Sequence, residues 1–291
     1  MAGPETLERK STAAGPRLVE IEDLSVEFPG RRGWEAAVSG VSFSMGQERL
    51  AIVGESGSGK SITARTIMGL QPAGARISAA RLAFQGIDLR GFGEPQFARL
   101  RGRRMAMILQ DPRQSLNPII SAGAQIMETC RLHLKDTRKA AREKALDLLR
   151  SVRIDNPRRV FDLLPHEVSG GMGQRIMIAM MLAAEPDLLI ADEPTSALDV
   201  SVRAEVLNLI DGIVSERGMG LILISHDLDL VAAYSDRVVV MYAGRVMETL
   251  PAADLHRATH PYTKGLMGCR PPLDRKVDML PVLERDPQWL Q

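Results

Sequence analysis

One eight-residue segment limits the folds open to this chain more than any other feature of its sequence. It fits the pattern G-x-x-x-x-G-K-[ST] and lies between an apolar run, residues 50–53, and a helix-like stretch, residues 62–70. A strand that turns into a helix through such a loop is typical of α/β proteins that bind a nucleoside triphosphate. The segment comprises Gly54, Glu55, Ser56, Gly57, Ser58, Gly59, Lys60 and Ser61.

The residue types in this loop suit a phosphate chain. Glycines allow backbone N–H groups to curl around an anion without a Cβ clash, and the helix that follows points the positive end of its dipole at the same anion. Lys60 then supplies a point charge for the β- and γ-phosphates, and the Ser61 hydroxyl is placed to ligate Mg²⁺. We therefore predict that residues 54–61 bind the nucleotide.

A pair of carboxylates follows a second apolar run, residues 188–191, which is typical of a central parallel strand. Asp192, at the end of this strand, is predicted to ligate Mg²⁺ directly or through water. Glu193 is placed one residue further, where it can polarise the attacking water as a general base. Together with the loop at residues 54–61, the pair predicts hydrolysis of the nucleotide.

A Ser/Gly segment, Ser169-Gly170-Gly171, precedes the apolar stretch 176–184. Backbone N–H groups at a helix N-terminus make such a segment a candidate for a second phosphate-binding nest. Taken alone, the segment is better explained as a flexible turn with a serine N-cap. The local sequence leaves both interpretations open.

The remaining pattern divides the chain into three regions. Residues 18–28 alternate partly and end at Pro29-Gly30, which predicts an edge strand in a β-rich first region. Helical spacing over residues 94–184 predicts an inserted helical subdomain. Five prolines from residue 260 onward predict an extended appendage rather than long helices. Further strands are predicted over residues 38–45, 47–53, 81–84, 188–191, 221–224, 238–242 and 245–250, and a helix over residues 200–217.

The charge balance and the cysteine content argue against several classes of function. The chain carries 37 Lys and Arg against 36 Asp and Glu; because it lacks the positive surplus of proteins that coat nucleic acids, we predict no nucleic-acid partner. Cys130 and Cys269 lie too far apart in sequence to suggest a disulfide scaffold or a zinc site, which fits a reducing, cytoplasmic setting. The longest apolar run, residues 176–184, is shorter than the roughly 18 to 20 residues that cross a bilayer, so a membrane role would be peripheral.

The order of these motifs resembles the ATP-binding subunit of an ABC transporter, from about residue 18 to residue 250. The resemblance implies an α/β fold, a P-loop NTPase (ABC ATPase) core with an antiparallel β subdomain and an inserted helical subdomain at about 94–184. It places this ATPase domain at residues 18–258, between a flexible N-terminal tail, 1–17, and a Pro-rich C-terminal extension, 259–291. The matching motifs are Walker A at 54–61, the Q-loop Gln110, the signature Ser169 to Gly171, Walker B ending in Asp192 and Glu193, the D-loop at 196–199 and the switch His226.

The resemblance also implies roles for individual residues. Gln110 would sense Mg²⁺ and the attacking water, and His226 would contact the γ-phosphate of ATP beside the base Glu193. The metal ligands would be Ser61, Gln110 and Asp192. Relatives usually stack adenine on an aromatic side chain near the end of the first strand, for which Phe28 is our choice and Trp34 the alternative. In the signature, Met172 stands where many relatives have a glutamine, and its thioether cannot supply that amide's hydrogen bonds.

The partners follow from the same resemblance. Ser169, Gly170 and Gly171 would bind the ATP of a second ABC ATPase subunit, either a homologous chain or another copy of this one. The segment after Gln110 and the tail from His260 resemble the peptide, opine and nickel importers, which implies two membrane-spanning permease subunits, an indirect extracytoplasmic solute-binding protein, and a place on the cytoplasmic face of the inner membrane. The alternative is a soluble non-transport ABC-type ATPase acting on nucleic acid or ribosomes, which would predict a second ATPase set, a coiled-coil insertion or a basic face.

Overall fold

Two β-sheets and a set of helices make up the part of the chain that the computed structural model describes, residues 17–31, 33–110, 115–196 and 198–269 with Asp286 and Trp289. The smaller sheet is antiparallel and has five strands. The larger sheet has six strands in the order β11-β10-β3-β9-β8-β7. The small sheet contains β1 (Val19–Gly30), β2 (Gly33–Met45), β4 (Arg76–Ser78), β5 (Arg81–Phe84) and β6 (Ile87–Asp88), and the large one β3 (Arg49–Val53), β7 (Met105–Ile108), β8 (Leu188–Asp192), β9 (Gly220–Ile224), β10 (Arg237–Tyr242) and β11 (Arg245–Pro251).

The helices connect many of these strands along the chain. None of those that the structure describes combines the length and the apolar character needed to cross a membrane. Short 3₁₀ segments lie at Pro165–Glu167 and Ala252–Arg257. The α-helices are α1 (Lys60–Ile67), α2 (Glu94–Leu100), α3 (Ala122–Leu134), α4 (Arg138–Ser151), α5 (Pro157–Asp162), α6 (Gly170–Leu182), α7 (Val200–Arg217), α8 (Leu228–Tyr234) and α9 (Pro261–Gly268).

Five strands of the larger sheet, from β7 to β10, run parallel, and β11 returns antiparallel along its edge. β3 lies inside this sheet and is buried on both faces, because alternate side chains of a strand point to opposite sides. Leu50 and Ile52 pack between the two sheets, whereas Ala51 and Val53 pack against the opposite layer, which contains α8 and α9. The strand that leads into residues 54–61 is therefore fixed from both faces.

Three expectations from the sequence are wrong. β1 is not an edge strand, because it pairs with β2 on one side and with β4 and β5 on the other; its partial alternation reflects a sheet with only one buried face. Residues 94–184 are not helical throughout, since Met105–Ile108 is a fully buried strand, β7, beside β8.

The third concerns the start of the proline-rich tail, which is a helix rather than an extended segment. Pro261 occupies the first turn of α9, where a missing N–H costs nothing and the fixed φ favours a helix. Apart from Asp286 and Trp289, residues 270–291 lie outside the described part, as do residues 1–16 of the predicted tail.

Candidate functional site

Most of the predicted functional side chains lie at the carboxyl ends of four neighbouring parallel strands. The loop of residues 54–61 follows β3, and Gln110 follows β7. Asp192 ends β8, and His226 follows β9. Ligands of open parallel sheets bind at this edge because the strand ends and the helix N-termini converge there.

The loop of residues 54–61, called the phosphate loop below, needs glycine at three positions. Gly54, Gly57 and Gly59 have φ values of 149°, 80° and 95°, a region that side chains with a Cβ rarely adopt. A Cβ on Gly54 would collide with the carbonyl oxygen of Met241, and one on Gly59 would lie 2.8 Å from the carbonyl oxygen of Ala37. At Gly54 and Gly59 the loop thus lies against β10 and β2 with no space for a side chain, whereas Gly57 is required only for its backbone conformation.

Lys60 is folded back into this loop. Its ammonium donates to the carbonyl oxygens of Gly54 at 2.8 Å and Glu55 at 2.7 Å, and to the Ser58 hydroxyl at 3.3 Å. Burial lowers the pKa of Lys60, although the nearby carboxylates of Glu193 and Asp192 oppose the shift. A buried ammonium held by carbonyl groups is a suitable partner for a phosphate chain that enters the loop.

Ser61 and Asp192 meet across the sheet edge. The Ser61 hydroxyl donates to Oδ1 of Asp192 at 2.8 Å. Asp192 is buried, and this burial raises its pKa, while the hydrogen bond from Ser61 acts in the opposite direction. A hydroxyl and a carboxylate in contact are oxygen donors of the kind that Mg²⁺ binds together with phosphate groups, so the residues present fit this ion.

Glu193 lies between Gln110 and His226. The Gln110 amide donates to Oε2 of Glu193 at 3.4 Å, and Nδ1 of His226 lies 3.4 Å from Oε1. Glu193 has a φ of 48°, unusual for a residue with a side chain, and its N–H donates to the carbonyl of Ile224 on β9. Strain of this kind often accompanies functional positions.

The two candidate adenine partners differ in exposure. Phe28 is partly buried and packs against the core between the sheets. Trp34 is 41% exposed, and the Arg76 guanidinium lies 3.6 Å from its ring centroid. Trp34 is therefore the more exposed residue of the two, although Arg76 covers one face of its ring, and the choice between them stays a prediction.

The signature residues lie on a separate surface. Ser169 caps α6, and its hydroxyl accepts from the Met172 N–H at 3.3 Å. Ser169 and Gly171 border a cavity of about 490 Å³ whose other walls come from the α4–α5 region, α6 and α7, not from the phosphate loop. Nothing lies within 4 Å of a Cβ placed on Gly170, so the chain's own packing does not require glycine there.

Comparison with known proteins decides the family. The sequence profile described as ABC transporter matches residues 38–196, more than half of this chain. The chain belongs to the ABC transporter family. As a member it is an ABC-type ATPase, which confirms the prediction from the order of its motifs.

The names and structures of similar proteins support this assignment. A probable peptide ABC transporter ATP-binding protein, y4tR of Sinorhizobium fredii, is 47% identical over 257 residues, covering 87% of this chain and 77% of that protein. The dipeptide transport ATP-binding protein DppD of Escherichia coli is 45% identical over 256 residues, covering 87% and 78%. A dimeric ATP-binding cassette, MJ0796, in a post-hydrolysis state with ADP and Pi, has a TM-score of 0.71 at 21% identity, covering 80% of this chain and 98% of that one. This last likeness confirms the predicted fold class.

Two buried side chains that were not predicted as site residues bond to backbone groups of the candidate site. Gln174, on α6, is 1% exposed and donates from Nε2 to the carbonyl of Pro194 at 2.7 Å. Tyr262, on α9, is fully buried, and its hydroxyl accepts from the Glu55 N–H at 3.1 Å. A polar residue within the apolar face of α6 was the available signal for Gln174, whereas nothing local in the sequence joins Tyr262 to residue 55.

Replacing Gln174 by leucine is expected to lower kcat for ATP hydrolysis by roughly ten- to a hundredfold, because Pro194 directly follows the candidate base Glu193 and small displacements of a base have effects of this size. The Pro194 carbonyl would lose a buried hydrogen bond. ATP affinity should stay within about threefold of wild type, since the phosphate loop is untouched. Steady-state kinetics and equilibrium ATP binding measure both quantities.

Gln125→Leu is the matched control. Gln125 is also a buried glutamine, and it bonds to Asn117 and Ile120 rather than to the Walker B strand. This variant should lose stability while keeping wild-type kcat at a temperature where it is folded. Equal losses of kcat in the two variants would contradict a specific effect of Gln174 on Glu193.

Proposed function

We propose that this chain binds and hydrolyses ATP to power the import of peptides, as a peripheral subunit on the cytoplasmic face of the inner membrane. One observation carries the proposal: the convergence of a phosphate loop, a buried carboxylate and a candidate base at one edge of a parallel sheet. The residues involved are Lys60, Ser61, Gln110, Asp192, Glu193 and His226.

ATP enters the loop of residues 54–61, where backbone N–H groups and the α1 N-terminus face its phosphates. Lys60 exchanges its carbonyl partners in the loop for phosphate oxygens, which replaces neutral acceptors by charged ones. Ser61 and Asp192, together with Gln110, would hold Mg²⁺, which supplies charge neutralisation of the phosphates.

Glu193 accepts a proton from the water that attacks the γ-phosphorus, while the bond between this phosphorus and the β–γ bridging oxygen breaks to leave ADP. Gln110 and His226 each lie 3.4 Å from one carboxylate oxygen of Glu193. Both side chains therefore orient Glu193, and His226 is exposed enough to reach the γ-phosphate.

A second ABC ATPase subunit completes the site. Ser169, Gly170 and Gly171 of one subunit would contact the γ-phosphate held by the other, which the open space at Gly170 supports. Since one chain carries both halves, two copies related by a two-fold axis make two complete sites. ATP then joins the subunits, and its hydrolysis releases them.

Peptides are the favoured cargo because y4tR and DppD are named as peptide and dipeptide ATP-binding proteins. The partners proposed are two membrane-spanning permease subunits and, through them, an extracytoplasmic solute-binding protein. The segment that follows Gln110, of which residues 111–114 lie outside the described part, would pass its motion to the permeases.

The test asks which proteins copurify with the chain and whether the chain supports uptake of a peptide. The tagged chain is purified from detergent-solubilised membranes, and uptake of a labelled dipeptide is measured in a deletion strain carrying wild type or Glu193→Gln. The proposal predicts copurification of multi-span subunits and uptake restored by wild type alone. A purely soluble complex with RNA or ribosomes would instead support the non-transport alternative, and unaltered dipeptide uptake in the deletion strain would exclude peptides as the cargo.

A further inference from the structure

The C-terminal helix α9 is anchored beside the phosphate loop. Glu248 of β11 accepts from the backbone N–H groups of Thr259 at 2.7 Å and His260 at 3.3 Å, just before α9 begins. His260 then caps α9, since its Nδ1 accepts from the Tyr262 N–H at 3.1 Å. These bonds fix the position of the first turn of the helix, which carries Tyr262.

Tyr262 is the residue through which α9 reaches the loop. Its ring packs against Tyr242 of β10, with centroids 4.6 Å apart, and against Trp289 at 5.8 Å. The ring is fully buried, and aromatic contacts of this kind hold a side chain in one orientation. The hydroxyl at its end therefore has a fixed position.

This hydroxyl and Lys60 hold the same peptide unit from opposite ends. The Glu55 N–H donates to the Tyr262 hydroxyl at 3.1 Å, and the carbonyl of the same unit, that of Gly54, accepts from Lys60 at 2.8 Å. Gly54 has a φ of 149° and lies against the backbone of Met241. Glycine has other conformations open to it, and these two hydrogen bonds hold the peptide in the one observed.

We infer that Tyr262 is a positioning residue for ATP binding: it holds the Gly54–Glu55 peptide in the orientation that the phosphate loop needs before nucleotide arrives. ATP draws Lys60 away towards its phosphates, and the bond from Glu55 to Tyr262 then still holds the peptide. The apparent affinity for ATP is proportional to the fraction of molecules in which the loop has its binding conformation, and it falls when that fraction falls. This inference rests on the proposed placement of ATP at residues 54–61.

Tyr262→Phe tests it, because the ring stays in the cluster and only the hydroxyl is lost. We expect the Kd and KM for Mg²⁺-ATP to rise about three- to tenfold, the range that one hydrogen bond provides, with kcat within twofold because the bound phosphates restore the loop. Exchange of the Glu55 amide with solvent, followed by NMR in the nucleotide-free protein, should become faster.

Tyr242→Phe is the control, since it removes a hydroxyl from the same aromatic cluster without touching Glu55; its Kd should match that of wild type. Lys60→Ala separates the two proposals. If it binds ATP normally, the placement of the nucleotide is wrong. If it loses binding while Tyr262→Phe keeps wild-type affinity and amide exchange, the role of Tyr262 alone is overturned.

Discussion

Replacing Glu193 by glutamine is expected to lower kcat for ATP hydrolysis by about 10²- to 10⁴-fold, the usual contribution of a general base, while ATP binding stays intact. Glutamine has nearly the same shape but cannot accept the proton of the attacking water. The contacts that Glu193 makes with Gln110 and His226 can persist in altered form, so the effect should fall on the chemical step.

The same variant should accumulate as a dimer in ATP, because hydrolysis is the step that separates the subunits. Size-exclusion chromatography with and without ATP measures this, alongside turnover. Glu185→Gln is the control: it changes a carboxylate to an amide in an exposed pair with Lys144, a pair of the kind that contributes little, and should hydrolyse ATP at the wild-type rate. Wild-type turnover by Glu193→Gln would refute the assignment of the base.

Replacing Ser169 by aspartate is expected to reduce turnover at least about 100-fold without destabilising the chain. Aspartate is as good an N-cap as serine and favours the positive end of the α6 dipole, so the fold is kept. Its charge would face the γ-phosphate bound to the other subunit, and like charges about 4 Å apart repel by about 4 kcal/mol near a protein surface. Turnover and thermal unfolding measure the two effects separately.

Two controls isolate the charge. Ser169→Asn keeps a neutral cap of similar size to aspartate and should retain more turnover than Ser169→Asp. Thr137→Asp makes the same kind of change at the N-cap of α4, where Thr137 accepts from the Ala140 N–H, and should be fully active. A loss of activity in Thr137→Asp equal to that in Ser169→Asp would point to a general effect of charge on the helical region.

The sequence was most informative where the residues of a feature are close together along the chain. The strand, loop and helix around residues 54–61 follow one another directly, and the glycines there are required by backbone geometry that the motif encodes. Asp192 was likewise predictable, since it ends a continuous apolar run that can only be a buried strand or helix. The hairpin of β10 and β11 formed where two strands were predicted, over residues 238–242 and 245–250.

The sequence was least informative where contacts join distant segments. Tyr262 lies 207 residues from Glu55 along the chain, and no local pattern predicts that a proline-rich tail returns to the loop. β7 was missed because four apolar residues with one β-branched member, Ile108, fit a helix as well as a strand. The choice between Phe28 and Trp34 depends on how β1 and β2 pack, which composition does not determine.

Mixing two inactive variants tests the shared site most directly. In a 1:1 mixture of Lys60→Ala and Ser169→Asp chains, each mixed dimer contains one site built from an intact Lys60 and an intact Ser169. Turnover should therefore recover to roughly a quarter of the wild-type rate, since about half of the dimers are mixed and each has one working site. A mixture no more active than the sum of the separate variants would contradict the proposal that each ATP is held between two subunits.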